Sequence, residues 1–358
     1  MTVEYRTLGT TGMTVSTYAL GTMMFGAWGN PDVSECTAMV HRALDAGINL
    51  IDTADVYDGG TSEEILGGAL TGRRDDVVLA TKLFNPMGAD PNRRGASRRW
   101  VVRACEESLR RLGTDWIDLY QVHRLDEDTE LDQTLSALSD LVHQGKVRAI
   151  GTSTFPASSI VEAQWVSQRR GHERFVSEQP PYSVLARGVE AEVLPTCQRF
   201  GVGVLVWAPL NGGWLTGKYR LGAEPPPVSR AGREPAHFDF AGPAREGKAA
   251  AVDGLAHLAA EAGIRLVDLA HAFVLEHPAV TSAILGPRTL DQLEDVLAGA
   301  GTHLDPDLLD AIDLLVPPGT NLNPADAGWT PPWLSADRRR RVPSTAPTGF
   351  TVPERSRS

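Results

Sequence analysis

The fold is decided by residues 49–57, which read Asn-Leu-Ile-Asp-Thr-Ala-Asp-Val-Tyr. The stretch continues a short apolar run of strand type that starts at Ile48, and it changes at Asp52 into small and acidic residues. Such a change is typical of the carboxyl end of a buried parallel strand. Because the loops at these ends converge and carry the chemistry in folds of alternating strands and helices, we expect Asp52 and Tyr57 to lie at the mouth of a site.

Two further strand-like runs end in the same way. Residues 77–80 are apolar and are followed by Thr81 and Lys82, and residues 117–122 are followed by His123. Taken singly, each polar residue has an ordinary structural explanation, such as a helix cap, a surface charge or a hydrogen-bonded core histidine. Their order on successive strand ends favours a shared catalytic site.

Eight strand-like runs, starting at Tyr18, are each followed by a helical segment at a period of roughly 30 residues. This alternation predicts a closed (β/α)8 TIM barrel. A doubly wound sheet would place a Gly-x-Gly-x-x-Gly turn after its first strand, and the sequence has none there. Residues 5–16 predict a β-hairpin that plugs the bottom of the barrel, and extra helices are expected near the C-terminus, at about 248–261, 266–277 and 305–315.

The chain of 358 residues, 42% of them hydrophobic, is long enough for one barrel domain, which we assign to residues 1–330. Residues 331–358 are rich in Pro and Arg and predict a flexible C-terminal tail. Residues 217–248 are rich in Gly and Pro and predict a functional loop over a ligand. The first long helix, over residues 34–46, is expected to be capped by Ser34.

Charge and cysteine content exclude several classes. A net charge of −11 and a pI near 5.3 argue against nucleic acid or an anionic membrane as the main partner. The three cysteines are widely spaced and suggest neither a disulfide framework nor a metal site. Neither an N-terminal signal nor an apolar run of ~18 residues is present, so the sequence predicts a cytoplasmic protein.

The ordered set of Asp52, Tyr57, Lys82 and His123 resembles the catalytic tetrad of the aldo-keto reductases. The resemblance extends from about residue 5 to residue 333, and it is greatest to bacterial members and more distant to the potassium-channel β subunits. Further matching segments are Gly151-Thr152-Ser153, Gln179, Trp207-Ala208-Pro209-Leu210, residues 213–218 and Gly286-Pro287-Arg288.

The resemblance implies a chemistry for these four residues. Carbonyl reduction needs a hydride on carbon and a proton on oxygen, and a free phenol is too weak an acid to donate well near neutral pH. Tyr57 is the expected general acid, and the ammonium of Lys82 is expected to lower its pKa. Asp52 would hold Lys82, and His123 would orient the carbonyl oxygen.

The resemblance also implies an NADP(H) site. Ser153 and Gln179 match positions that hold the nicotinamide carboxamide, and Arg288 can grip a 2′-phosphate, which favours NADPH over NADH. Thr154 and Val296 depart from the family, which more often has asparagine at both positions. The expected cofactor-binding residues are Gly21, Thr22, Met23, Asp52, Ser153, Gln179, Trp207, Ala208, Pro209, Leu210, Gly212, Leu215, Gly217, Lys218, Gly286, Arg288, Gln292 and Asp295.

Phe25, Trp28 and Phe84 are expected to form an apolar substrate pocket, with packing at the top of the barrel as the alternative. Arg124 would meet either an anionic group of the substrate or a neighbouring acid. The sequence therefore predicts an NADPH-dependent reductase of a small carbonyl compound. Two alternatives stay open, an NADPH-binding regulatory subunit of low turnover and a reductase of nucleotide-linked keto sugars, and the sequence leaves homo-oligomer formation open.

Overall fold

A computed structural model describes residues 3–219, 224–227, 229–233 and 244–340. Its strands are β1 (Tyr5–Thr7), β2 (Thr14–Ser16), β3 (Tyr18–Gly21), β4 (Leu50–Asp52), β5 (Val78–Leu83), β6 (Ile117–Val122), β7 (Val147–Ser153), β8 (Phe175–Gln179), β9 (Gly203–Val206) and β10 (Val280–Leu285). Within these described ranges, the eight strands β3 to β10 are parallel and close into a barrel, in which β10 pairs with both β9 and β3. The predicted barrel is confirmed.

Helices cover the outside of the barrel. They are α1 (Val33–Asp45), α2 (Thr61–Ala69), α3 (Arg98–Leu112), α4 (Leu131–His143), α5 (Ala157–Arg170), α6 (Val193–Phe200), α7 (Arg230–Arg233), α8 (Arg245–Glu261), α9 (Leu266–Glu276), α10 (Leu290–Leu297) and α11 (Pro306–Leu315). A further short helix, α12 (Ala336–Arg339), follows later in the chain. The prediction that Ser34 caps α1 is wrong. Asp32 is the cap, because its carboxylate accepts from the backbone N–H groups of Ser34 and Glu35, at 2.8 and 3.1 Å, and so satisfies two donors of the first turn.

Helix α3 shows how the sequence pattern fixes the outer layer. Ser97 caps its first turn by accepting from the N–H of Trp100, and Gly113 ends it in the left-handed conformation. Its buried stripe includes Val101, Ala104, Cys105, Ser108, Leu109 and Leu112. This i, i+3, i+4 spacing turns one apolar face toward the barrel and leaves Arg98, Arg99, Arg103 and Arg110 exposed.

The hairpin of β1 and β2 closes the amino-terminal end of the barrel. Leu8 and Val15 are fully buried and pack with barrel-interior side chains such as Leu50 and Leu119. Gly9 approaches the barrel so closely that a Cβ there would lie 2.7 Å from the carbonyl oxygen of Gly201. The predicted plug is confirmed, and it leaves the carboxyl ends of the strands for the site.

The chain divides into a compact unit that ends at Gly328 and a small unit that begins at Trp329. The small unit contains α12 and an edge contact between the rings of Trp329 and Trp333, whose centroids are 5.2 Å apart. Most of the predicted tail, residues 341–358, lies outside the described residues, as do residues 220–223, 228 and 234–243 of the predicted loop. Among the helices that are described, none is long and apolar enough to cross a membrane.

Candidate active site

Three neighbouring strands bring the predicted catalytic residues together. Strand β4 ends at Asp52, β5 carries Lys82, and His123 follows β6 directly. Ala80 packs in the barrel interior, and because side chains alternate along a strand, Lys82 also points inward, one step nearer the mouth. Tyr57 starts a short 3₁₀ turn five residues beyond Asp52, so the turn returns its phenol over the same strand ends.

The ammonium of Lys82 is the centre of this group. Its Nζ donates to Asp52 Oδ2 at 2.5 Å, to the carbonyl oxygen of Thr53 at 2.9 Å and to the phenolic oxygen of Tyr57 at 3.1 Å. Lys82 is fully buried and Asp52 is 2% exposed. All three ammonium protons therefore have acceptors, and the charge is compensated by one carboxylate inside the barrel.

The other oxygen of Asp52 is also held. Asp52 Oδ1 accepts from Gln179 Nε2 at 2.8 Å and from Gln121 Nε2 at 3.3 Å. Sequence reasoning gave no role to Gln121. Its signal was its position two residues beyond inward-facing Leu119, where an amide in an apolar strand must find a polar partner inside the barrel.

Two opposing effects set the pKa of Tyr57. Lys82 does lower the pKa of Tyr57, but burial has the larger effect, and the net pKa lies above the ordinary value of a phenol. Burial lowers the pKa of Lys82, and Asp52 and Tyr57 together outweigh it, so that the ammonium stays charged. Tyr57 consequently holds its proton at neutral pH, next to a fixed positive charge.

His123 lies beside this pair as a neutral ring. Burial, followed by the charges of Lys82 and Arg124, holds the pKa of His123 well below its usual range. Its ring meets the ring of Tyr57 edge-on, with centroids 6.0 Å apart. Asn85 Nδ2 lies 3.1 Å from His123 Nδ1. With the amide of Asn85 as donor, Nδ1 is the acceptor and Nε2 carries the ring proton.

Asn85 was missed by sequence reasoning because its position depends on the backbone of the loop after β5. The preceding residue, Phe84, has a φ of 134°, which is outside the usual range for a residue with a side chain. A polar residue three positions after Lys82 was the only signal available. The loop conformation turns that residue toward His123.

The residues predicted for the nicotinamide lie at the ends of β3, β7, β8 and β9. Ser153 Oγ donates to the backbone oxygen of Gln179 at 2.9 Å, and Thr154 has a left-handed φ of 57°. Thr22 is buried and its N–H donates to the backbone oxygen of Asp52 at 2.9 Å.

The ring of Trp207 is partly buried, and a Cβ at Gly328 would lie 2.5 Å from it, so only glycine permits this packing. Gly21 ends β3, and Met23, partly buried, follows Thr22.

The segment after β9 is a turn built from left-handed residues. Positive φ angles occur at Ala208, Asn211, Gly212, Gly213 and Gly217, whereas Pro209, Leu210 and Leu215 lie between them. The buried ammonium of Lys248 holds this turn, because it lies 2.9 Å from Asn211 Oδ1 and 2.6 Å from Asp326 Oδ2. Nitrogen Nδ2 of Asn211 donates to the same oxygen of Asp326 at 3.0 Å.

Three cations converge near the end of this turn. Burial lowers the pKa of Lys218, and the charges of Arg288 and Arg233 lower it further. Arg233, in α7, was missed by sequence reasoning, and its Nη1 donates to the backbone oxygen of Trp28 at 3.2 Å. The repulsion among these cations would be relieved by a bound polyanion.

The segment from Gly286 to α10 carries Arg288, one of these three cations. Gly286 is exposed, and a Cβ there would meet nothing within 4 Å, so the backbone is open to a ligand. Gln292 Oε1 accepts from the N–H of Arg288 at 2.9 Å. Asp295 is paired with Arg265, at 2.5 Å, on the neighbouring helix α9, and the partly buried Val296 packs against the core.

The predicted substrate residues differ in exposure. Phe25 is fully buried in the main hydrophobic core, which agrees with the packing alternative. Trp28 is 44% exposed, and Phe84 is partly buried. Arg124 contacts the site, since its Nη1 donates to Thr154 Oγ1 at 3.2 Å.

A phenol that keeps its proton, a buried lysine–aspartate pair and a neutral imidazole lie together at the carboxyl end of a (β/α)8 barrel, an arrangement consistent with an oxidoreductase of carbonyl compounds. The comparison of the sequence with family models agrees, since the model described as the Aldo/keto reductase family matches residues 18–316. The chain belongs to the aldo/keto reductase family.

Three relatives illustrate the range of this similarity. An uncharacterized oxidoreductase, YrpG, of Bacillus subtilis (strain 168) is 38% identical over 91% of this chain and 100% of its own length. A probable voltage-gated potassium channel subunit beta of Oryza sativa subsp. japonica is 35% identical, over 88% of this chain and 97% of its own. The aldo-keto reductase YhdN of B. subtilis is 35% identical, over 82% and 87%.

Proposed function

We propose that this protein reduces an aldehyde or ketone to the alcohol with NADPH, and that Tyr57 is the general acid. The observation that carries the proposal is the 3.1 Å contact between the phenolic oxygen of Tyr57 and Lys82 Nζ, beside a neutral His123. A proton donor, a fixed cation and a hydrogen-bond donor thereby converge where a carbonyl oxygen would bind.

The residues on the cofactor side fit a dinucleotide phosphate. Lys218, Arg233 and Arg288 place positive charge around the open backbone at Gly286, and the left-handed turn before Lys218 brings small residues close to it. Arg288, at the start of α10, would hold the 2′-phosphate, which supports NADPH rather than NADH. Ser153 and Gln179 would hold the nicotinamide carboxamide, with Trp207 as the aromatic face beside the ring.

Bound NADPH would supply the hydride for the carbonyl carbon. The chain's own part is the proton: Tyr57 donates from its phenolic oxygen to the carbonyl oxygen, and His123 Nε2–H orients that oxygen by a hydrogen bond. When the proton leaves, Lys82 stabilises the phenolate at 3.1 Å. Asp52 keeps Lys82 in place and charged throughout.

The test is the oxidation of NADPH, followed by its absorbance, with 4-nitrobenzaldehyde, methylglyoxal and a dTDP-linked keto sugar. We expect steady turnover with at least one of them, and we expect Tyr57→Phe to lose it by about 10²- to 10⁴-fold while still binding NADPH. Tight NADPH binding without turnover on any carbonyl would contradict the proposal and favour the alternative of an NADPH-binding regulatory subunit; the Oryza relative is named as a probable channel subunit. Turnover restricted to the nucleotide-linked sugar would assign that substrate class.

A further inference from the structure

Arg124 is a partly buried guanidinium directly next to His123. Its Nη1 donates to the backbone oxygen of His123 at 2.7 Å and to Thr154 Oγ1 at 3.2 Å. Its charge also acts on the phenol, since it lowers the pKa of Tyr57. Arg124 therefore lies against the catalytic residues rather than on the outside of the barrel.

The charge of Arg124 has no carboxylate partner. Within the described ranges, no carboxylate oxygen lies within 4.0 Å of its guanidinium nitrogens, whereas Arg74, Arg111 and Arg187, which are also buried or partly buried, each pair with an acid at 2.6 to 2.9 Å. Burial lowers the pKa of both Arg124 and Arg187, and only for Arg187 do acids reverse the shift. A buried charge without a counter-ion is costly unless a ligand supplies one.

Glu178 is the carboxylate whose charge acts on Arg124, and it already accepts hydrogen bonds from other groups. Its carboxylate accepts from Thr152 Oγ1 at 2.5 Å and from the N–H of Phe155 at 3.1 Å. Burial raises the pKa of Glu178 to about 7, so that it is partly protonated at neutral pH. Glu178 therefore neutralises little of the positive charge of Arg124.

The free part of Arg124 has the geometry that a carboxylate requires. Both of its hydrogen bonds use Nη1, and no described residue accepts from Nε or Nη2. The N–H groups of Nε and Nη2 point in parallel along one edge of the guanidinium, and this edge matches the two oxygens of a carboxylate. Because Arg124 is partly exposed, that edge is available to a ligand.

We propose that Arg124 binds a carboxylate on the substrate, so that the preferred substrates are aldehydes or ketones that also carry a carboxylate group. The inference rests on the proposed reductase function and specifies its substrate class. Arg124 would hold the anionic end of the substrate, and Tyr57 and His123 would act on the carbonyl oxygen at the other end.

The test compares 4-carboxybenzaldehyde with its methyl ester, which has the same aldehyde but no charge. We expect the wild type to favour the carboxylate by about tenfold or more in kcat/KM, mainly through KM, and Arg124→Met to bring the two kcat/KM values within about threefold of each other. Arg124→Lys should retain part of it, because it keeps the charge but not the paired donors. Arg148→Met is the matched control, since Arg148 is exposed at the opposite end of β7.

A binding measurement separates this inference from the proposed function. Benzoate should bind to the wild type in calorimetry at least about tenfold more tightly than methyl benzoate, and Arg124→Met should remove the difference. Turnover of both aldehydes without discrimination would overturn the inference alone, as would an equal fall in kcat for both in Arg124→Met, which would mean that Arg124 acts only through the pKa of Tyr57. Arg124-dependent benzoate binding without any turnover would overturn only the reductase proposal.

Discussion

The tetrad of Asp52, Tyr57, Lys82 and His123 and the cationic group of Lys218, Arg233 and Arg288 differ in the charges that surround their lysines. Around Lys82 every ammonium proton has an acceptor, and the charge is balanced by Asp52 inside the barrel. Around Lys218 the described cations, Arg233 and Arg288, raise the repulsion rather than relieve it. On the proposed function, the first region is prepared for proton transfer without a ligand, and the second would be stabilised by binding a polyanion. Changes in the first should therefore affect the chemical step, and changes in the second should affect cofactor affinity.

The largest effect is expected for Lys82→Met. Without the ammonium, Tyr57 has no fixed cation to stabilise its phenolate, so kcat should fall by about 10²- to 10⁴-fold, while the Kd for NADPH changes by less than about threefold. Asp52 is left buried and unpaired, which should lower the free energy of unfolding by about 3–5 kcal/mol. Steady-state kinetics, fluorescence titration with NADPH and urea unfolding measure the three quantities.

The matched variant for Lys82→Met is the double substitution Asp52→Asn with Lys82→Met, which removes the unpaired carboxylate. It should recover much of the stability but none of the activity. A Lys82→Met enzyme that lost NADPH affinity as strongly as turnover would break the distinction between the two regions.

Arg288→Met should have the next largest effect, on affinity alone. Loss of a charge-assisted grip on the 2′-phosphate should weaken NADPH binding by about 10- to 100-fold, with NADH affinity and kcat at saturation nearly unchanged. Titrations with both nucleotides measure the ratio, and Arg148→Met serves again as the surface control. An equal loss for NADH would show that Arg288 does not recognise the 2′-phosphate.

Substitutions of Asn85 test the tautomer of His123 within the tetrad. Asn85→Leu should lower kcat/KM by about tenfold, because the Nε2–H tautomer of His123 loses its support. In Asn85→Asp, the carboxylate would take the proton of Nδ1 as a hydrogen bond and raise the pKa of His123, so that Nε2 could donate only from the protonated ring. Activity of this variant should rise as the pH falls from 8 to 5, whereas the wild type, whose His123 pKa is depressed, should not gain activity over that range. Identical pH profiles would contradict the tautomer assignment.

Thr154→Asn should give the smallest effect and improve the protein. Thr154 has a φ of 57°, a conformation that is strained for a β-branched residue and more readily adopted by asparagine. We expect unfolding to become harder by about 1 kcal/mol and NADPH to bind up to about threefold more tightly, because an amide can both donate and accept. Thermal unfolding and titration test this, with Thr154→Ala as the control that removes the hydroxyl without favouring the left-handed backbone. A less stable Thr154→Asn would show that the hydrogen bond of Thr154 with Arg124 outweighs the strain.

The sequence predicted the barrel and the convergence of the tetrad because both follow from short-range patterns. Apolar runs that end in a polar residue mark strand ends, and parallel strands bring those ends to one side of the barrel. No sequence pattern indicated the ion pair between Asp295, expected on the adenosine side of the cofactor, and Arg265, which lies thirty residues earlier at the N-cap of α9.

What the sequence could not predict depends on three-dimensional surroundings. Asn85 and Arg233 reach the site through loop conformations, and neither a φ of 134° at Phe84 nor the contact of Arg233 with Trp28 has a local sequence signal. The lowering effect of Lys82 on the pKa of Tyr57 could be inferred from strand order, whereas the larger, opposite effect of burial could not. The cap of α1 was displaced by two residues because Asp32 and Ser34 are both good caps.

The ion pair between Lys248 and Asp326 has a consequence for biosynthesis. The turn after β9 is held by an ammonium that is 2% exposed, and its counter-ion comes from a residue almost eighty positions further along the chain. While a ribosome is still adding the residues before Asp326, Lys248 lacks its carboxylate and would favour water over the interior. Nascent chains should therefore acquire the proposed nucleotide affinity only after Asp326 has been added, when the last barrel strand, β10, has already been made.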